Sequence, residues 1–164
     1  SMGNVCFNSC IVWNKNNERI KKMSREIDEI IIHATATNPS WYADKNVNDV
    51  VDEIRRWHTE ERGWSDIGYH FVVHRDGGVG MGRPVWRKGA HTRGKNSKSI
   101  GIALVGGRGG CADDNFFDHY TEAQVNSLRT LIDMQFEKYG KLKVSGHNTY
   151  ASKACPCFNV EDWF

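Results

Sequence analysis

Three residues of this 164-residue chain have the chemistry and placement of a metal site: His33, His147 and Cys155. His33 closes the β-branched run IDEIIIH at 27–33, and His147 follows directly on a short extended stretch at 143–146. Cys155 lies eight positions beyond His147. Imidazole nitrogen and thiolate sulfur both suit Zn²⁺. Three protein ligands leave a fourth position for water, the arrangement of catalytic rather than structural zinc. Water held there ionises near pH ~7 and becomes a nucleophile. The same pair of residue types also serves a cysteine nucleophile with a histidine base. Pro156 directly after Cys155, and a second histidine at a strand end, favour the metal reading.

The elements that must position these groups follow from periodicity. The run at 27–33 reads as a buried strand. Val47, Val50, Val51, Ile54, Trp57 and His58 share one face of a helix over 47–62, which Gly63 stops. Residues 68–75 (GYHFVVHR) read as a strand, Asp76-Gly77-Gly78 as a hairpin turn and 79–83 as the return strand. Residues 99–106 (SIGIALVG) predict another buried strand. The helix at 121–139 has a capping box, Thr121 with Gln124, and an apolar stripe of Val125, Leu128, Ile132, Phe136 and Tyr139. Strands interspersed with helices, plus one hairpin, imply a single α/β domain with a central mixed β-sheet flanked by helices.

Composition narrows the class. Hydrophobic residues are 39% and charged residues 26%, which excludes a disordered chain. No apolar run approaches the ~20 residues of a membrane helix. A net charge of +2 gives no long-range pull on nucleic acid or anionic membrane. The polar, basic stretch 14–26 separates a short apolar segment from the rest. Residues 1–26 therefore read as an N-terminal appendage or an edge hairpin, with 1–3 a remnant around a start codon, and 27–164 as the domain body. Residues 4–13 are too short and polar for a signal peptide.

The segments IIHATAT (31–37), WHTEERGWSDIGYHFVVHRDGGV (57–79), GAHTRGKNSKSIGIALVGG (89–107), TEAQVNSLRTL (121–131) and SKACPCFNVEDWF (152–164) occur in this order. Together they resemble the type-2 N-acetylmuramoyl-L-alanine amidases, in particular the small phage endolysins of the T-seven lysozyme type, relatives of the peptidoglycan-recognition proteins. The resemblance runs from about residue 27 to the last residue. It implies one zinc ion on His33, His147 and Cys155, a catalytic tyrosine at Tyr69 and a catalytic lysine at Lys153. It also implies hydrolysis of the amide between the lactyl group of N-acetylmuramic acid and L-alanine of the stem peptide, which lyses the wall. The implied partner is bacterial peptidoglycan, met by a monomer made in a host cytoplasm and acting after release. Some similar phage proteins also bind a phage RNA polymerase, an alternative activity, as is recognition of peptidoglycan without catalysis.

Substrate contacts are expected at His91, aligned with a groove histidine of the family, and at Asn96, which is also suited to tying down its loop. Arg75 and Arg93 are candidates to grip stem carboxylates, since guanidinium pairs with carboxylate bidentately. Arg83 is a candidate on the same ground. Trp64 and Trp41 could stack on sugar or peptide as well as pack in the core. His58, His70 and His74 read as structural, and His119 has no motif. Cys157 reads as a packing residue, while Cys6, Cys10 and Cys111 have no assigned role.

Overall fold

The computed structural model describes residues 25–164. Five strands form one sheet: β1 (Glu29–Ala34), β2 (Phe71–Val73), β3 (Val79–Met81), β4 (Ser99–Leu104) and β5 (Lys143–Gly146), in the order β3-β2-β4-β1-β5. β1 lies parallel to β4 and β5, β2 is parallel to β4, and only β3 runs antiparallel, against β2. The helices are α1 (Val47–Arg56), the short α2 (Phe116–His119) and α3 (Glu122–Tyr139). The sheet is mixed, as the sequence implied.

Side-chain alternation along the strands gives the sheet two different faces. Ile30, Ile32, Phe71, Val73, Ile100, Ile102 and Leu104 point to the side where α3 buries Val125, Leu128, Leu131 and Ile132. On the other side Val72, Ala103 and Val105 meet Val50, Val51 and Ile54 of α1. That second face also carries His33. Burial on both faces explains why β1 and β4 read as continuous apolar runs instead of alternating ones.

α3 begins where the sequence places it. Thr121 Oγ1 accepts from Gln124 N–H (3.1 Å), and Gln124 Oε1 accepts from Thr121 N–H (3.0 Å). The Gln124 amide then donates to Val73 O and Val105 O, pinning the helix start to the ends of β2 and β4.

Three local readings change. The strand at 68–75 narrows to Phe71–Val73, because Tyr69 O and His70 O both accept from the return segment, from Arg83 and Gly82, outside a regular ladder. The return strand shortens to Val79–Met81, and the helix at 47–62 ends as a five-residue π-turn, Trp57–Glu61. Widened turns of this kind commonly sit at functional sites, and this one delivers His58 and Arg62 to the cavity described next. α2 had no periodicity long enough to announce it.

Candidate metal centre and groove

β1 sits between β4 and β5, so the ends of these strands converge. Ile32 pairs with Gly146, the last residue of β5, which puts His147 just beyond it and beside His33 on β1. Their ring centroids are 4.5 Å apart. The chain then loops back: Asn148 N–H donates to Cys155 O (2.7 Å), and Ala34 N–H donates to Cys155 Sγ (3.1 Å). A Cβ on Gly146 would stand 3.0 Å from Pro156 Cδ, so glycine lets this return pass close to the strand end. As a result one nitrogen each of His33 and His147 and the sulfur of Cys155 lie within 4.8 Å of one another.

The hydrogen-bond network fixes which nitrogen of His33 is free. Ser99 Oγ donates to Lys95 O (2.7 Å), so it accepts from His91 Nε2 (3.3 Å). His91 Nδ1 is then an acceptor and takes the Nε2 proton of His33 at 2.9 Å, with Thr92 Oγ1 beside it. That leaves the His33 Nδ1 lone pair facing Cys155 Sγ, 4.0 Å away. Ligating histidines are ordinarily oriented through their second nitrogen in this manner. Burial lowers the pKa of His33, His91 and His147, which keeps the imidazoles neutral, as ligands must be. Burial pushes the Cys155 thiol up to about 11. An uncharged thiol is a poor nucleophile, and a cation placed between the two imidazoles would reverse its ionisation. The donor set therefore fits a metal better than it fits a cysteine peptidase.

Tyr69 faces His33 across the same cavity, of about 250 Å³, with ring centroids 5.3 Å apart. Burial raises its hydroxyl pKa, with the neighbouring Cys155 adding to the effect. Lys153 reaches this cavity and also an adjoining groove of about 490 Å³. Trp64 stands between the two. Arg93, Asn96 and Tyr150 continue the groove.

The remaining candidates divide. His91 borders both cavities, yet its nitrogens face inward, one to His33 and one to Ser99. Asn96 Oδ1 accepts from His91 N–H and Thr92 N–H, both at 2.9 Å, and so ties down its loop as well as lining the groove. Arg75 lines neither cavity; its guanidinium donates to His119 O (2.8 Å). Arg83 is buried, donating to Ile67 O, Lys88 O and Asp66 O. Trp41 packs on Tyr42 and Trp57. Cys157 is buried and Cys111 exposed, both free, while Cys6 and Cys10 lie outside the described residues.

Sequence reasoning assigned no role to Thr92, Ser99 or Arg62. The guanidinium of Arg62 lies over the Trp64 ring at 5.2 Å and borders the cavity shared by His33, Tyr69 and Cys155. The available signal was a glycine inside the buried strand SIGIAL. A Cβ on Gly101 would sit 2.5 Å from the His91 ring, and one on Gly89 would sit 2.7 Å from it. Glycine within a strand marks such close approach.

His58 lines the cavity and His70 packs against His91, and both must be neutral. His58 Nδ1 accepts from Gly68 N–H (2.9 Å) and His70 Nδ1 from Gly101 N–H (3.0 Å). Burial holds each pKa down at about 4, against an ordinary value of about 6.5. Between those values the unfolded chain binds protons that the folded chain refuses, so stability is lost as pH falls through that window. Thermal midpoints should drop between pH 7 and 4, and His58→Gln should flatten part of the drop. Identical pH profiles for the variant and the parent would remove His58 from this account.

Residues 23–158 match the family Amidase_2, N-acetylmuramoyl-L-alanine amidase. The chain belongs to that family. It is 42% identical over 144 residues to the endolysin of Escherichia phage T7, covering 87% of this chain and 89% of the relative. The solved N-acetylmuramoyl-L-alanine amidase LysC of Clostridium intestinale is 29% identical, with a TM-score of 0.67 over 85% of this chain and 84% of that one. A variant of Drosophila PGRP-LB, solved in complex with tracheal cytotoxin, is 25% identical with a TM-score of 0.70, covering 84% and 80%. Among the described residues, no helix is long and apolar enough to cross a membrane.

Proposed function

We propose that the protein is a zinc amidase that separates N-acetylmuramic acid from L-alanine in peptidoglycan, acting on the bacterial wall after release from the cell that makes it. The observation that carries this is the convergence of His33, His147 and Cys155 on one point, with Tyr69 and Lys153 at the same cavity. His33 Nδ1, a nitrogen of His147 and Cys155 Sγ would hold the ion. The chemistry zinc supplies when bound is Lewis acidity, which polarises the scissile carbonyl and acidifies water.

The chain's own groups do the rest. Burial raises the pKa of Tyr69, so its hydroxyl is protonated at neutral pH and can donate a hydrogen bond. A donor aimed at the carbonyl oxygen strengthens its bond as negative charge develops there. The Lys153 ammonium adds a cation at the same rim, of greatest value to the charged transition state. The groove beyond, with Trp64 and Tyr150 as aromatic walls and Arg93 as a cation, suits a strand carrying sugars and peptide carboxylates.

Digestion of purified peptidoglycan followed by mass spectrometry tests this. New L-alanine amino termini should appear without new reducing ends. Chelation should abolish the release and added zinc restore it. Tyr69→Phe and Lys153→Ala should each slow it by about 100-fold or more. New reducing ends, or full activity in chelator, would sink the proposal.

A further inference from the structure

Between β3 and β4 the chain makes one long connection, residues 82–98, whose one helical turn is Asn96–Lys98. This connection is a wall of the groove: Ala90, His91, Thr92, Arg93 and Asn96 all line it. Compact surface loops of about 6–16 residues with their ends close together are frequently functional. The stretch 85–96 is of that size, and its ends meet on a residue from elsewhere in the chain.

That residue is Arg25, just ahead of β1. Its Nε donates to Val85 O (2.8 Å), and its Nη1 donates to Asn96 O (3.1 Å) and Ser97 O (3.3 Å). The remaining nitrogen packs against His70. His70 Nδ1 accepts from Gly101 N–H, so its Nε2 carries the proton and donates to Arg87 O (2.8 Å). Arg25 Nη2, 3.2 Å from that nitrogen, therefore adds a contact and no hydrogen bond. The three acceptors are backbone carbonyls. The guanidinium thus serves as a rigid fork of placed donors, joining the entrance of the loop to its exit.

The hold reaches the groove through Asn96. Arg25 fixes its backbone carbonyl, and its side-chain oxygen accepts from His91 N–H and Thr92 N–H, both at 2.9 Å. Ser97 leads into Ser99, whose hydroxyl lies 3.3 Å from His91 Nε2. The segment after Arg25 runs beside the same turn, with Asp28 N–H donating to Lys98 O (2.9 Å).

We propose that Arg25 is a positioning residue for substrate binding: it clasps the two ends of the 85–97 loop and so keeps the groove wall of His91, Thr92, Arg93 and Asn96 in place. This rests on the amidase reading above. Arg25 touches neither cavity, and it acts only through the loop.

Arg25→Met, which keeps the stem and removes every donor, tests this. With zinc in excess, KM for a soluble muramyl peptide should rise about tenfold while kcat stays within about twofold, the pattern of lost binding. The His91 and Thr92 amides should exchange at least about tenfold faster than in the parent. The β4 amides at 102–104 should be equally protected in both, which certifies the sheet. Glu26→Gln, which removes only the exposed contact with Lys98, should leave KM and exchange at parental values. A fall in kcat at constant KM overturns the proposal, because Arg25 would then set only the amount of folded protein. A rise in KM without faster exchange overturns it as well, as does faster exchange without a rise in KM. An equal effect of Glu26→Gln would assign the result to the whole segment and not to the clasp. If the parent itself releases no L-alanine termini, the amidase reading fails, and the dissociation constant of the same peptide takes the place of KM.

Discussion

Cys155→Ser is expected to give a folded protein that neither retains zinc nor releases L-alanine termini from peptidoglycan. Cys155 Sγ is placed by two independent anchors, the Ala34 N–H on the thiol and the Asn148 N–H on the carbonyl. The second of these survives the substitution, and a serine hydroxyl can still accept the first. What is lost is a soft anionic ligand, since a hydroxyl ionises far less readily than a thiol and suits zinc less well. Partners that merely orient a ligand are worth about 10–100-fold in metal affinity, so loss of a direct ligand should exceed that. Zinc content after dialysis, measured beside the rate, reads the two effects separately. A variant that keeps one zinc per chain and near-parental activity would show that the sulfur is not a ligand.

Gly101→Ala is the more revealing change, because it removes no functional group. The new methyl would stand 2.5 Å from Cγ and Cδ2 of His91. The ring cannot swing away cheaply, since its two nitrogens are engaged by His33 and Ser99. Overpacking of this kind costs about 1–3 kcal/mol of stability. Displacing His91 also frees His33 Nε2, so zinc affinity should fall by about 10–100-fold. Adding His91→Ala to Gly101→Ala should return much of the stability and none of the affinity. If the double variant recovers both, His91 is only a filler of space.

Much of the proposed site was legible because His33 and His147 sit at strand ends, which β-branched runs announce, and because the ordered motifs singled out Cys155, Tyr69 and Lys153. The stretch IDEIIIH fixed His33 at the end of β1, and the capping box at Thr121 fixed the start of α3. Less legible was anything set by contact between distant segments. Arg75 looked free to meet a carboxylate, but the carbonyl of His119 takes its guanidinium. His91 lies in a motif that borders the groove, but the direction of its nitrogens depends on Ser99 and His33, from two other strands. The shortening of the strand around Tyr69 depends on which carbonyls the return segment happens to meet. Spacing along the chain contains none of these facts.

The position of β1 has a consequence for when activity arises. This strand carries His33 and finds its partners only in β4 and β5, both translated after it. Cys155 is a further step away, 122 positions from the histidine it faces. A nascent chain therefore holds His33 long before it can pair the strand that positions it, and Cys155 is added after every strand of the sheet. Any copy interrupted or clipped ahead of residue 155 lacks the thiol and, on the proposed zinc mechanism, the lytic capacity with it.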